Sequence, residues 1–139
     1  MIDAEALGPV RRQEIHADDD VVRVRQLVRS AAVESKLSLV DQTKLVTAAS
    51  ELARNTLVYG GGGYAEVQQV SNGRRRGIRV VFADEGPGIA DLDQAFTDGF
   101  TTGSGLGLGL SGARRLMDEF ELRTAVGEGT VITAVKWER

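Results

Sequence analysis

From Thr101 to Leu110 the chain reads Thr-Thr-Gly-Ser-Gly-Leu-Gly-Leu-Gly-Leu, with glycines alternating with leucines at the mouth of a helical pattern. Glycine inside a helix costs up to about 1 kcal/mol relative to alanine. Three of them at a helix entrance therefore ask for a reason other than helix formation. Bare glycine backbone joined to the free N–H groups of a helix N-terminus forms a site for phosphate. The leucines dock the segment onto a core, while the Gly/Ser/Thr stretch ahead of them can move as a lid. The other glycines are clustered too, at 60–63 and 86–88; the chain has 17 glycines against 2 prolines. Linkers disperse glycine among serines, whereas here it punctuates elements, at places where backbone must come close to something.

The 139 residues suit one domain with a real core, expected over 1–139. A formal charge of −3 disfavours nucleic acid or an anionic membrane as the main partner. The absence of cysteine excludes disulfides and thiolate chemistry. No apolar run approaches the roughly 20 residues of a membrane span, and the N-terminus has no signal-peptide core. A cytoplasmic location is the expectation.

The periodicity predicts a weak strand at 10–17, then a helix over 21–36 with N-cap candidates Asp18–Asp20 and apolar positions Val24, Leu27, Val28 and Ala31. A second helix is expected over 41–59, with Leu45, Ala48, Ala49, Leu52 and Tyr59 as its stripe and Gly60 ending it. The period then changes to that of strands at 64–70 and 77–84, joined by a Ser-Asn-Gly turn with three arginines. A short helix at 92–96, a third long helix over 106–120 and a hairpin of 121–126 with 130–137 complete the order β α α β β α β β. That order implies a two-layer α/β sandwich: a mixed, mainly antiparallel sheet with helices on one face.

Two further groups can carry chemistry. Glu51 and Asn55 are four apart on the second helix, so both leave its same side at the margin of the apolar stripe. The Asn55 amide oxygen suits a hard cation such as Mg²⁺, and Glu51 can take a proton from a hydroxyl; a polar pair at a helix edge is the plainer account. Asp84, ending a strand before Gly86 and Gly88, offers acceptors only and suits an exocyclic amine such as that of adenine. The plainer account there is an acidic turn. The run Gly107, Gly109, Gly112 matches G-x-G-x-x-G, but no strand leads into it and no acid follows about 20 residues on, so a dinucleotide site is rejected. His16, the lone histidine, is expected to be structural or exposed, Arg74–Arg76 a solvated turn, and Tyr59 and Trp137 packing residues.

Taken together, the order and spacing of these segments resemble the GHKL ATPase superfamily, whose Bergerat-type fold is shared by gyrase B, Hsp90, histidine-kinase catalytic domains and MutL. The N box matches Glu51–Asn55, the first glycine box Asp84–Gly88, the second Gly103–Leu110, and the final G-T Gly129-Thr130. The resemblance implies ATP and Mg²⁺ as ligands. Glu51 is then the general base, Asn55 the Mg²⁺ ligand, and Asp84 the reader of the adenine amine. Gly86, Gly88 and Thr130 line the nucleotide, and Thr102, Gly103, Ser104, Gly105, Leu106, Gly107, Leu108 and Gly109 belong to the ATP lid.

Flanking segments narrow the resemblance to the stressosome switch-kinase branch of the bacterial anti-sigma-factor serine/threonine kinases. They are Ala49-Ser50-Glu51-Leu52-Ala53-Arg54-Asn55, Asp98-Gly99-Phe100, Arg115-Leu116-Met117-Asp118-Glu119-Phe120 and Ala134-Val135-Lys136-Trp137. That branch implies transfer of the ATP γ-phosphate to Ser or Thr of STAS-domain antagonist proteins, and activation of a PP2C-type phosphatase by the released kinase. Two other readings stay open: an ATP-dependent binding switch that sequesters or activates a partner without phosphorylating it, and a plain ATPase. The intact Glu51 favours transfer.

Overall fold

The computed structural model describes residues 2–90 and 109–139. Its elements are β1 (Glu5–Ala6), β2 (Arg11–Ile15), α1 (Asp18–Glu34), α2 (Leu39–Val58), β3 (Gly63–Ser71), β4 (Arg76–Asp84), α3 (Gly109–Leu116), β5 (Glu119–Thr124) and β6 (Thr130–Trp137). The strands form one sheet in the order β1-β3-β4-β6-β5, with β2 also paired to β3, and each described pairing is antiparallel. Helices α1 and α2 pack on each other and on β3 and β4, and α3 packs on α2. This is the expected two-layer α/β architecture. The helix expected at 92–96 lies outside the described residues.

Period-2 burial explains the sheet. Ala65 and Val67 of β3, Ile78, Val80 and Phe82 of β4, and Ile132 and Ala134 of β6 are buried in the core beneath Val24, Val28, Ala31, Leu45, Ala48, Ala49 and Leu52 of the helices. Their neighbours in sequence face the other side of the sheet, where Val70, Val135 and Trp137 form a small second cluster under Ile2 and Ala4.

The N-cap of helix α1 is Ala17, ahead of the three aspartates expected to cap it. Asp20 reaches back from the first turn to accept from the N–H groups of His16 and Ala17, at 2.9 and 3.2 Å. At its other end the Leu37 N–H bonds Ala32 O and the Lys36 N–H bonds Val33 O, with Lys36 at φ 61°. That is the Schellman arrangement, with lysine in the place glycine usually takes. Helix α2 is capped by Ser38, whose Oγ accepts from the Asp41 N–H at 3.1 Å. It ends at Val58, so Tyr59 becomes the C-cap and lies 48% exposed rather than packed as expected.

The third helix is shorter than its pattern suggests. It ends at Leu116, because Asp118 is drawn into the sheet: its N–H donates to Val135 O at 3.0 Å and its Oδ2 accepts from the Trp137 N–H at 2.7 Å. Glu119 and Phe120 then belong to β5. Asp118 also faces the buried Lys136, whose Nζ is 3.4 Å from Asp118 Oδ1 and 3.7 Å from Asp41 Oδ1. The far end of β6 is thus tied to the start of α2.

Candidate functional site

Helix α2 carries Glu51 and Asn55 along the side that meets α3, and both are buried, at 5% and 8% exposure. Glu51 Oε1 accepts from the backbone N–H of Gly109, the first residue of α3, at 2.6 Å. An anionic acceptor there complements the free N–H groups and positive end of that helix. Glu51 Oε2 and Asn55 Oδ1 are buried with no hydrogen-bond partner among the described residues. Leaving a buried acceptor unmade costs about 1–3 kcal/mol, so two side by side mark a place where a ligand completes the bonding. An uncharged oxygen and a carboxylate oxygen are donors that a hard cation takes, and the arrangement fits Mg²⁺ with its phosphates.

Asp84 closes β4 on the same face of the sheet, opposite Thr130 of β6. Glycines from three segments pack around it, Gly60 and Gly129 against Asp84 itself and Gly86 against Gly60. A Cβ on Gly60 would lie 2.4 Å from Asp84 Cβ, one on Gly86 would lie 2.7 Å from Gly60 Cα, and one on Gly129 would lie 2.2 Å from Asp84 O. Partial burial raises the Asp84 carboxyl above its ordinary value, opposed by N–H groups of Gly86, at 2.9 Å, and of Thr130. Gly88, at φ 76°, packs where a Cβ would be 2.1 Å from Ala125 O. The two glycines of the first box are therefore required by neighbouring protein backbone, beyond any role against a ring.

Of the expected site residues, the structure brings Glu51, Asn55 and Gly109 together on one side, and Asp84, Gly86, Gly88 and Thr130 at the sheet end. Thr102, Gly103, Ser104, Gly105, Leu106, Gly107 and Leu108 lie outside the described residues. A cavity of about 670 Å³ also reaches Asp84, between Arg12, Tyr64 and Val131 on the helix-free face, but neither Glu51 nor Asn55 lines it. The acceptors at Glu51 and Asn55 are on the chemically informative side.

Sequence reasoning passed over Thr124. It ends β5 beside Thr130, and its Oγ1 contacts Ile89 N, Gly129 O and Thr130 Oγ1. Only the strand register places it there, and no motif contains it.

Comparison with known proteins fits this geometry. Residues 40–138 match the family described as histidine kinase-, DNA gyrase B-, and HSP90-like ATPase. The chain belongs to that family. It is 48% identical over 120 residues to serine/threonine-protein kinase RsbT of Bacillus subtilis (strain 168), covering 86% of this chain and 90% of the relative. It is 30% identical to the anti-sigma F factor of Heyndrickxia coagulans, over 78% of this chain and 80% of that one, and 28% identical to that of Thermoanaerobacter sp. (strain X514), over 81% and 82%.

Among solved structures, that of the RsbU and RsbW domains of Rv1364c from Mycobacterium tuberculosis superposes with a TM-score of 0.66 at 18% identity. It covers 95% of this chain. The chain spans about a third of that protein, 33%, and the likeness carries the fold alone. The sequence relationships place the chain among the ATP-dependent serine/threonine protein kinases of the family, with anti-sigma factors as its more distant kin.

Proposed function

We propose that this kinase works in a bacterial partner-switching pathway, phosphorylating a Ser or Thr of a STAS-domain antagonist in the cytoplasm and activating a PP2C-type phosphatase once released. The carrying observation is the pair of buried acceptors, Glu51 Oε2 and Asn55 Oδ1, unpartnered among the described residues, with Glu51 held at the N-terminus of α3. Asn55 Oδ1 is the protein oxygen for Mg²⁺. When bound, that ion supplies positive charge against the phosphates. Glu51 has one oxygen held by Gly109 and the other free, so its orientation is set before a substrate hydroxyl arrives. Its free oxygen takes the hydroxyl proton as the oxygen–phosphorus bond forms and ADP leaves. The positive end of the α3 dipole, beside Glu51, favours anionic charge such as that of the phosphates. Asp84 accepts from the adenine amine, and Gly60, which has no Cβ, leaves room for its carboxyl.

Incubation with labelled ATP and candidate STAS proteins tests this reading. Label on the STAS protein, lost with Glu51→Ala, is the expected result. Phosphate release without transfer would indicate a plain ATPase, and tight ATP binding with neither would indicate a binding switch; both overturn the kinase mechanism.

A further inference from the structure

One hydroxyl under the nucleotide site has all of its hydrogen-bonding capacity assigned. Thr124 Oγ1 lies 3.0 Å from the backbone N of Ile89, 2.9 Å from Gly129 O and 2.9 Å from Thr130 Oγ1. A hydroxyl has one proton and two lone pairs. The Ile89 N–H can only donate, and the Gly129 carbonyl can only accept. The Thr124 proton therefore goes to Gly129 O, and one lone pair takes the Ile89 N–H. The remaining lone pair takes the proton of Thr130. The Thr130 hydroxyl, its proton committed, keeps acceptor capacity alone for anything else it meets. Its cross-strand neighbour on the other side is Asp84, which when ionised also only accepts.

We infer that Thr124 is a positioning residue for nucleotide choice: by taking the Thr130 proton it makes Thr130 an acceptor beside Asp84, so that the two together accept from an exocyclic amine at purine C6 and reject a carbonyl at that position. The inference rests on the reading of Asp84 as the adenine contact. Thr124 joins three segments in doing so: the glycine loop at Ile89, the turn at Gly129 and β6 at Thr130. The same loop is held to that turn by the Gly127 N–H on Pro87 O at 2.7 Å. A second bond between loop and turn therefore remains when the Thr124 hydroxyl is removed, and a substitution there perturbs the polarity of Thr130 more than the position of the loop.

The test is the ratio of dissociation constants for ATP and inosine triphosphate, which replaces the amine by a carbonyl and places a proton on N1, measured by calorimetry on the full chain; purine riboside triphosphate, which lacks the amine and leaves N1 unprotonated, separates the two changes. The wild type should prefer ATP. Thr124→Val frees the Thr130 hydroxyl to rotate and donate, and should lower that preference about tenfold, the worth of one hydrogen bond. Thr124→Ser should restore it. Thr130→Val, which removes the acceptor itself, should lose the same preference and serves if Thr124→Val does not fold. A Thr124→Val protein that weakens both nucleotides equally, or keeps the wild-type ratio, would show Thr124 to be a loop tie only. Full preference in Thr130→Val would overturn the inference as well. A wild type without preference would remove the Asp84 reading and this inference together.

Discussion

The carboxylate of Glu51 and the backbone N–H of Gly109 are joined at 2.6 Å, so the proposed base and the first residue of α3 are held as one unit. Substitution of Glu51 then has two separable effects. Glu51→Gln keeps an oxygen for Gly109 but cannot take a proton. Phosphoryl transfer should fall by about 10²–10⁴ with ATP affinity little changed, as read by single-turnover assays and calorimetry. A Glu51→Gln protein that transfers at the wild-type rate would sink the base assignment.

Asp84→Asn should abolish measurable nucleotide binding, because its amide presents a donor to the adenine amine. It should also stabilise the protein at neutral pH. The folded-state value of Asp84 is raised by burial. Protonation therefore favours the native state: that stability is fully present below the ordinary value, 3.8, and is lost as pH rises through the raised one. Melting temperatures of the two proteins should differ most at neutral pH and converge on acidification. A gap that widens at low pH would contradict the burial of this carboxyl.

Gly127 and Gly129 share a backbone conformation, at φ 80° and 82°, but not surroundings. A Cβ on Gly127 meets nothing within 4 Å, whereas one on Gly129 meets Asp84 O at 2.2 Å. Gly127→Ala should cost about 1–2 kcal/mol, the strain of a left-handed residue. Gly129→Ala should exceed about 4 kcal/mol, since backbone must move as well. Urea denaturation followed through Trp137, the one tryptophan, measures both.

Lys36→Gly should stabilise the protein by about 1 kcal/mol, by relieving the left-handed conformation that closes α1. The midpoint in urea should rise with the slope unchanged. A fall would mean that the lysine side chain contributes more than its backbone costs.

Helical and alternating periods made the two long helices, β3, β4 and the last hairpin readable, because each buries one regular face. The end of α3 was not readable: Leu116, Met117 and Phe120 keep helical spacing, and only the bonds of Asp118 to β6 divert the chain. Tyr59 looked like a continuation of the α2 stripe but falls just past its last turn. Strand β1, two residues long, pairs only through Ser71 and Val70 and leaves no pattern. At the site, residue type and spacing named Glu51, Asn55 and Asp84. The contact of Glu51 with Gly109 and the crowding of Asp84 by Gly60 and Gly129 depend on tertiary approach between distant segments, as does the place of Thr124.

The place of β6 has a consequence for synthesis. It is the last element in chain order, yet it lies between β4 and β5 and is the only described partner of β5. A nascent chain that has already delivered Glu51, Asn55 and Asp84 still lacks the strand that brings Thr130 beside Asp84. Sheet closure waits for these late, long-range pairings. Until they form, β4 and β5 each present an open edge, and the sheet end that carries Asp84 is unfinished.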